Sequence, residues 1–176
     1  MDLKTITLVS FGYFEKDILE KTAEAVIQEY HCIVNMKDGH LDLSEYYDAA
    51  RRQYDGNALL KQVHSMSFPE TDQNHGIFNV DHIVPILTFI FGQAFLGGQT
   101  GIASLYRLSN ERYGMVPDGL LMLDRFKKEV IHELGHTFGL IHCHNPTCVM
   151  RSSTYVEDID QKSMHLCHNC RTELEI

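Results

Sequence analysis

"VIHELGHTFGLIHCHNPTCVM", residues Val130 to Met150, gathers four histidines, one glutamate and two cysteines into twenty-one positions, and its spacing decides how the rest of the chain is read. His132 and His136 are four residues apart. On a helix turning by roughly 100° per residue they sit one turn apart on one face, where both imidazoles reach one metal ion. Glu133 stands beside that face, where a carboxylate can take a proton from a water attacking a carbonyl. It reads as a base and not as a ligand. His142 constrains the backbone, because on a straight helix it would lie about 9 Å beyond His136, far outside a zinc–nitrogen bond of roughly 2.0 to 2.1 Å. The chain must turn back first, and Gly139, midway, is the residue type that ends helices through a positive φ. Three neutral histidines leave a fourth tetrahedral position open, the pattern of catalytic rather than structural zinc. The plainer reading, two histidines on a helix face followed by a helix-ending glycine, leaves the offset of His142 to accident.

Cys143 cannot share that ion easily, since adjacent residues point in different directions. Its candidate partners are Cys148 and the pair in "CHNC", Cys167 and Cys170. Four thiolates in two close pairs suit a closed tetrahedral zinc site that ties the C-terminal segment together. The chain is thus expected to hold two Zn2+ ions, one catalytic and one structural, in sites that meet across a single peptide bond. Two disulfides or free thiols are the alternatives, and His144, His165 or His168 could replace one thiolate, although surface positions explain those histidines more simply. Cys32, alone in "HCIVNM", reads as buried apolar filler.

Around this motif, 176 residues of which 44% are hydrophobic suffice for one sizeable core. We expect one domain, residues 1–176, with an N-terminal lobe 1–139 and a C-terminal lobe 140–176 too poor in apolar residues to order itself without metal. The net charge of −9 and the lack of a Lys/Arg run argue against nucleic acid or an anionic membrane as partner. "MDLKTITLVSFGYFEKD" reads as neither a signal peptide nor a membrane span, so we expect a cytoplasmic protein, an expectation that favours metal over disulfides for the cysteines. Periodicity predicts a strand at Thr5–Ser10, a helix at Asp17–Tyr30 and a strand at "CIVNM". It further predicts a long helix within His40–Met66 interrupted at Asp55-Gly56, strands in "IFNVDHIVPILTFIFGQAF" and "GIASLYRL", and a third helix from about Leu121.

"HELGHTFGLIHC", followed by Cys148, Met150 and Cys167-x-x-Cys170, resembles the archaemetzincins, a branch of the metzincin zinc peptidases, and "FIFGQAFLGGQTGIASLYRL" resembles the segment that precedes their active-site helix. One stretch departs: "HGIFNVD" stands where the family often carries a glycine-rich "LGVTD"-like segment. The resemblance implies an α/β (α+β), metzincin-like fold, with a mixed twisted sheet, helices, an active-site helix and a small irregular zinc-stabilised C-terminal lobe. It also implies a catalytic zinc on His132, His136 and His142, Glu133 as base, a second zinc on Cys143, Cys148, Cys167 and Cys170, and Met150 beneath the histidines.

The function read from these residues is a zinc metallopeptidase acting on a peptide or protein substrate. Gly101 to Leu108 is a candidate edge strand against which an extended substrate could pair. Tyr155 is read as a loop or packing residue, with support of a transition-state oxyanion as the lesser alternative. A zinc-stabilised protein-binding module with little or no peptidase activity is the rival, though such a module has no need of Glu133. A redox role for Cys167-x-x-Cys170 is weaker, because that pair does not open a helix after a strand. The sequence sets no oligomeric state.

Overall fold

Strand β1, Thr5–Phe11, is buried at every position but its first, as a parallel strand covered on both faces must be. Residues 3–66 and 68–176 are described by the computed structural model; Met1 and Asp2, the start of the stretch weighed above as a leader, lie outside the described residues. Helix α1, Lys16–Tyr30, buries Ala23, Val26 and Tyr30 and stops at His31, which adopts the left-handed conformation and donates its N–H to the Ile27 carbonyl. Strand β2, Ile33–Gly39, then pairs parallel to β1. This strand–helix–strand unit follows the sequence reading closely.

The long helix expected within His40–Met66 is absent from its first half. A 3-10 turn at Leu43–Tyr46 and the short strands β3, Tyr47–Asp48, and β4, Gln53–Asp55, stand there instead. Asp42 takes the Ser44 N–H, and Asp48 takes those of Ala50 and Arg51, so acidic side chains satisfy the backbone in turns and outcompete the helix. Asp55 is not an interruption. It caps α2, Gly56–Ser65, by accepting the Ala58 N–H at 3.1 Å.

Strand β5, Gln73–Phe78, pairs parallel to β1 on the side away from β2. Most of "IFNVDHIVPILTFIFGQAF" beyond β5 is not strand: β6, His82–Ile83, joins β4 in a small second sheet, and β7, Gly92–Ala94, joins the main one, with Pro85 and an irregular run between them. Strand β8, Thr100–Ser104, completes a five-stranded sheet in the order β2-β1-β5-β8-β7, parallel except for the antiparallel β7. This corrects the candidate substrate edge. The Gly101–Leu108 segment supplies an interior strand paired on both sides, because the chain doubles back at Gly97 and Gly98 and lays β7 outside it. β7 is the edge.

Helix α3, Gly119–Thr137, capped by Asp118 through the Leu121 N–H, packs with α1 on one face of the sheet, and α2 covers the other. The alternation of strand side chains feeds both sides: Leu8 and Ile77 join the α1/α3 core, Val9 and Phe78 the α2 core. After α3 come only two short helices, α4 at Val156–Gln161 and α5 at His168–Leu174. This segment is nonetheless not coreless. Leu140, Val149, Met150, Val156, Ile159 and Leu166 are all buried in the α1/α3 cluster, so its few apolar residues borrow a core that α1 and α3 supply. Among the eleven histidines, His75 and His82 are fully buried in the sheet region, and burial pushes them down to about 3 and about 4. They are neutral packing residues.

Candidate metal centre

Two groups of ligand-type side chains form among the described residues, and they are the two anticipated from spacing. His132, His136 and His142 bring ring nitrogens within 4.8 Å of one another, and the sulfurs of Cys143, Cys148, Cys167 and Cys170 do the same. The histidine group is built by the end of α3: Gly139 has φ +102°, its N–H goes to the His136 carbonyl, and the chain reverses to return His142 over the helix face. Two of the rings are fixed through their rear nitrogens. His132 donates its Nδ1–H to the Val149 carbonyl at 2.8 Å, and His136 donates its own to the Leu140 carbonyl at 2.7 Å. This leaves both Nε2 atoms free of hydrogen and 3.1 Å apart, close to the roughly 3.3 Å edge of a tetrahedron with zinc–nitrogen bonds of 2.0 to 2.1 Å. Burial, the leading cause at all three histidines, holds them below the ordinary imidazole value, hence in the neutral form that binds metal.

The sulfur group fits zinc by the same test. Cys143 and Cys167 lie 3.8 Å apart at sulfur, as do Cys148 and Cys170. A disulfide needs about 2.05 Å, whereas a tetrahedron of zinc–sulfur bonds near 2.3 Å has an edge of about 3.8 Å. The backbone N–H of Cys170 leads the interactions that bring the Cys167 thiol down to about 7, toward the thiolate that ligation requires. Cys167 is the N-cap of α5, so the CHNC pair does open a helix, although no strand precedes it. Cys32 sits apart and buried, its thiol raised to about 11 by burial, consistent with filler. The Cys143 N–H donates to the Met150 carbonyl at 2.9 Å, which fixes the junction between the two groups.

Met150 is fully buried against α3 at Gly135, where any Cβ would collide with its sulfur. Glu133 faces a cavity of about 330 Å³ that is also lined by His132, His142, Phe91, Gly92 and Tyr155. Burial first, and the Glu129 carboxylate second, push the Glu133 carboxyl well above its usual range, and Lys162 opposes them. Tyr155 does not pack: it stands 64% exposed at the cavity rim.

Sequence reasoning missed three contributors. Lys162 and Glu129 line the same cavity from within, and spacing alone carried no signal for either. Gly92 did carry one, a glycine inside a strand, which often marks a close approach. A Cβ there would fall 2.7 Å from Glu133 Cγ and 2.8 Å from the Ile102 carbonyl oxygen. Gly92→Ala is therefore expected to displace the carboxylate and lower kcat/KM by about a hundredfold, with zinc content near parental and a measurable loss of thermal stability, because the Ile102 carbonyl is backbone and must shift as well. A variant as active as the parent would show that Glu133 does not depend on this contact.

The model of peptidase family M54 matches residues 1–176. The archaemetzincin of Pyrococcus horikoshii is 44% identical over 144 residues, spanning 78% of this chain and 75% of that one. The crystal structure of the Methanopyrus kandleri archaemetzincin superposes with a TM-score of 0.87 at 34% identity, covering 98% and 94% of the two chains. A zinc-dependent peptidase from Methanocorpusculum labreanum superposes with a TM-score of 0.85 at 28% identity, covering 96% and 99%.

Proposed function

The chain belongs to peptidase family M54, the archaemetzincins, and is a zinc metallopeptidase; from that premise we propose that His132, His136 and His142 hold its catalytic zinc and that Glu133 is its general base. The observation that carries this reading is the pair of Nδ1–H bonds from His132 and His136 to backbone carbonyls, which turn both Nε2 lone pairs toward one point. When bound, zinc supplies a lowered water pKa and a polarised scissile carbonyl. Glu133 accepts the proton of the attacking water and passes it to the leaving amine; its raised basicity in the buried cavity suits both transfers. The outer edge of β7 is the free edge beside the cavity, and an extended peptide paired there would lie across Glu133 and the histidines.

The four cysteines hold the second, structural zinc in this reading, for a total of two ions per chain. The 3.8 Å sulfur spacing fits zinc ligation rather than disulfides, in keeping with the cytoplasmic reading of the chain, and no described helix is long and apolar enough to cross a membrane. The test is direct: incubate the purified chain with a mixed peptide library, read the products by mass, and repeat after chelation and after restoring zinc. Cleavage that is lost and regained with zinc is expected. A zinc-loaded chain that binds library peptides without cutting any would favour the binding module instead.

A further inference from the structure

Behind the histidine group lies a lysine whose side chain is entirely buried. Lys162, at the end of α4, places its Nζ 3.5 Å from His132 Nδ1, 3.0 Å from the Arg151 carbonyl that accepts from it, and 3.4 Å from Glu129 Oε1. The contact with His132 is not a hydrogen bond that helps the ring. His132 already donates its Nδ1–H to Val149, so Nδ1 has no lone pair to offer, and the ammonium faces a donor. A cation held against the rear of an imidazole opposes binding of a dication at its front. Removed from water, the pair of charges is screened little.

Glu129 is the counterweight. It lies three residues before His132 and four before Glu133, on the same face of α3, and its side chain is 4% exposed. Its Oε1 has no hydrogen-bond partner, and among the described residues Lys162 is the one cation paired with it. The neighbouring Lys128 is engaged elsewhere, with Asp124 at 2.7 Å and the Ile159 carbonyl.

We propose that Lys162 and Glu129 form a buried, charge-balanced pair that sets the zinc affinity of the histidine site: Lys162 keeps that site weaker and more exchangeable than three buried imidazoles alone would make it, and Glu129 limits the penalty. The proposal rests on the reading that those histidines bind zinc. It makes the two residues electrostatic positioning groups rather than ligands, and it predicts changes of opposite sign when they are neutralised one at a time.

The experiment measures zinc dissociation from the histidine site by competition with a chromophoric chelator, with the thiolate site kept loaded as an internal reference. Glu129→Gln keeps the shape and leaves the ammonium unbalanced, so the dissociation constant should rise about tenfold or more. Lys162→Met removes the cation and leaves the carboxylate, so it should fall about tenfold or more. Thermal unfolding and occupancy of the thiolate site report whether each variant is folded. Weaker binding in both variants would overturn the proposal and make the pair a scaffold; parental affinity in both would overturn it as well. Should Lys162→Met fail to fold, Glu129→Gln decides alone, and parental affinity there is fatal. A parent chain that binds no zinc beyond the thiolate site would overturn this inference together with the catalytic reading, which separates the two kinds of failure.

Discussion

Glu133→Gln is expected to abolish peptide hydrolysis, lowering kcat/KM by about a thousandfold or more, while the chain keeps its full zinc content. The substitution preserves volume in a place where volume matters: Glu133 is buried and packed against Gly92 of the edge strand, so a shorter or bulkier residue would confuse lost basicity with lost packing. Glutamine fills the same space and cannot accept the proton. Zinc should stay because Glu133 is not among the clustered ligand atoms. The measurement pairs steady-state kinetics on the best library peptide with metal analysis and thermal unfolding. A Glu133→Gln variant that cuts at the parental rate would remove Glu133 from the mechanism, whereas one that loses zinc would make it a ligand.

The difference between what spacing revealed and what it hid is a matter of contact range. His132, His136, Gly139 and His142 lie within eleven positions, and local helix geometry dictates how they meet, so the histidine site could be read before any fold was known. The first strand–helix–strand unit was legible for the same reason. Failures began where neighbours along the chain are not neighbours in space. Glu29 of α1 is nearly fully buried, yet its partners are His165, the Leu166 N–H and Arg171, about 140 residues away. That clamp fastens the cysteine segment to α1, and the segment looked coreless only because its core lies on α1 and α3. Gly101–Leu108 misled in the opposite direction: it has the composition of a strand, but whether a strand is an edge depends on where β7 returns, which composition does not record. The apolar run Val84–Phe91 reads as strand and is mostly irregular, since its residues wall the cavity instead of entering a ladder.

The Cys167→Ser variant tests whether two centres exist and whether they are mechanically joined. Parental protein should carry two zinc ions per chain, with the histidine site yielding first to a chelator because its coordination is open. Cys167 is central to the other site: its sulfur lies 3.8 Å from Cys143, its own N–H donates to Cys148 sulfur at 3.3 Å, and it caps α5. Serine offers zinc a poorer ligand, so the second ion should be lost or held weakly, and the metal's contribution to folding goes with it. A fall in thermal midpoint of about 10 °C is expected, less than total unfolding because Leu166 and Met150 remain packed in the shared core. Activity should fall as well, although Cys167 touches no catalytic group, because His142 is bonded directly to Cys143 and the Cys143 N–H anchors the Met150 turn. His136→Ala should do the reverse: it should empty the histidine site and end catalysis while leaving the thermal midpoint within a few degrees of a parent stripped of its histidine-site zinc alone. Metal analysis of both variants beside their unfolding curves separates the cases. One zinc in the parent, or a Cys167→Ser chain with unchanged metal and midpoint, would leave the second centre without support. A Cys167→Ser chain that loses one zinc and remains fully active would show that the two centres share a peptide bond and nothing more.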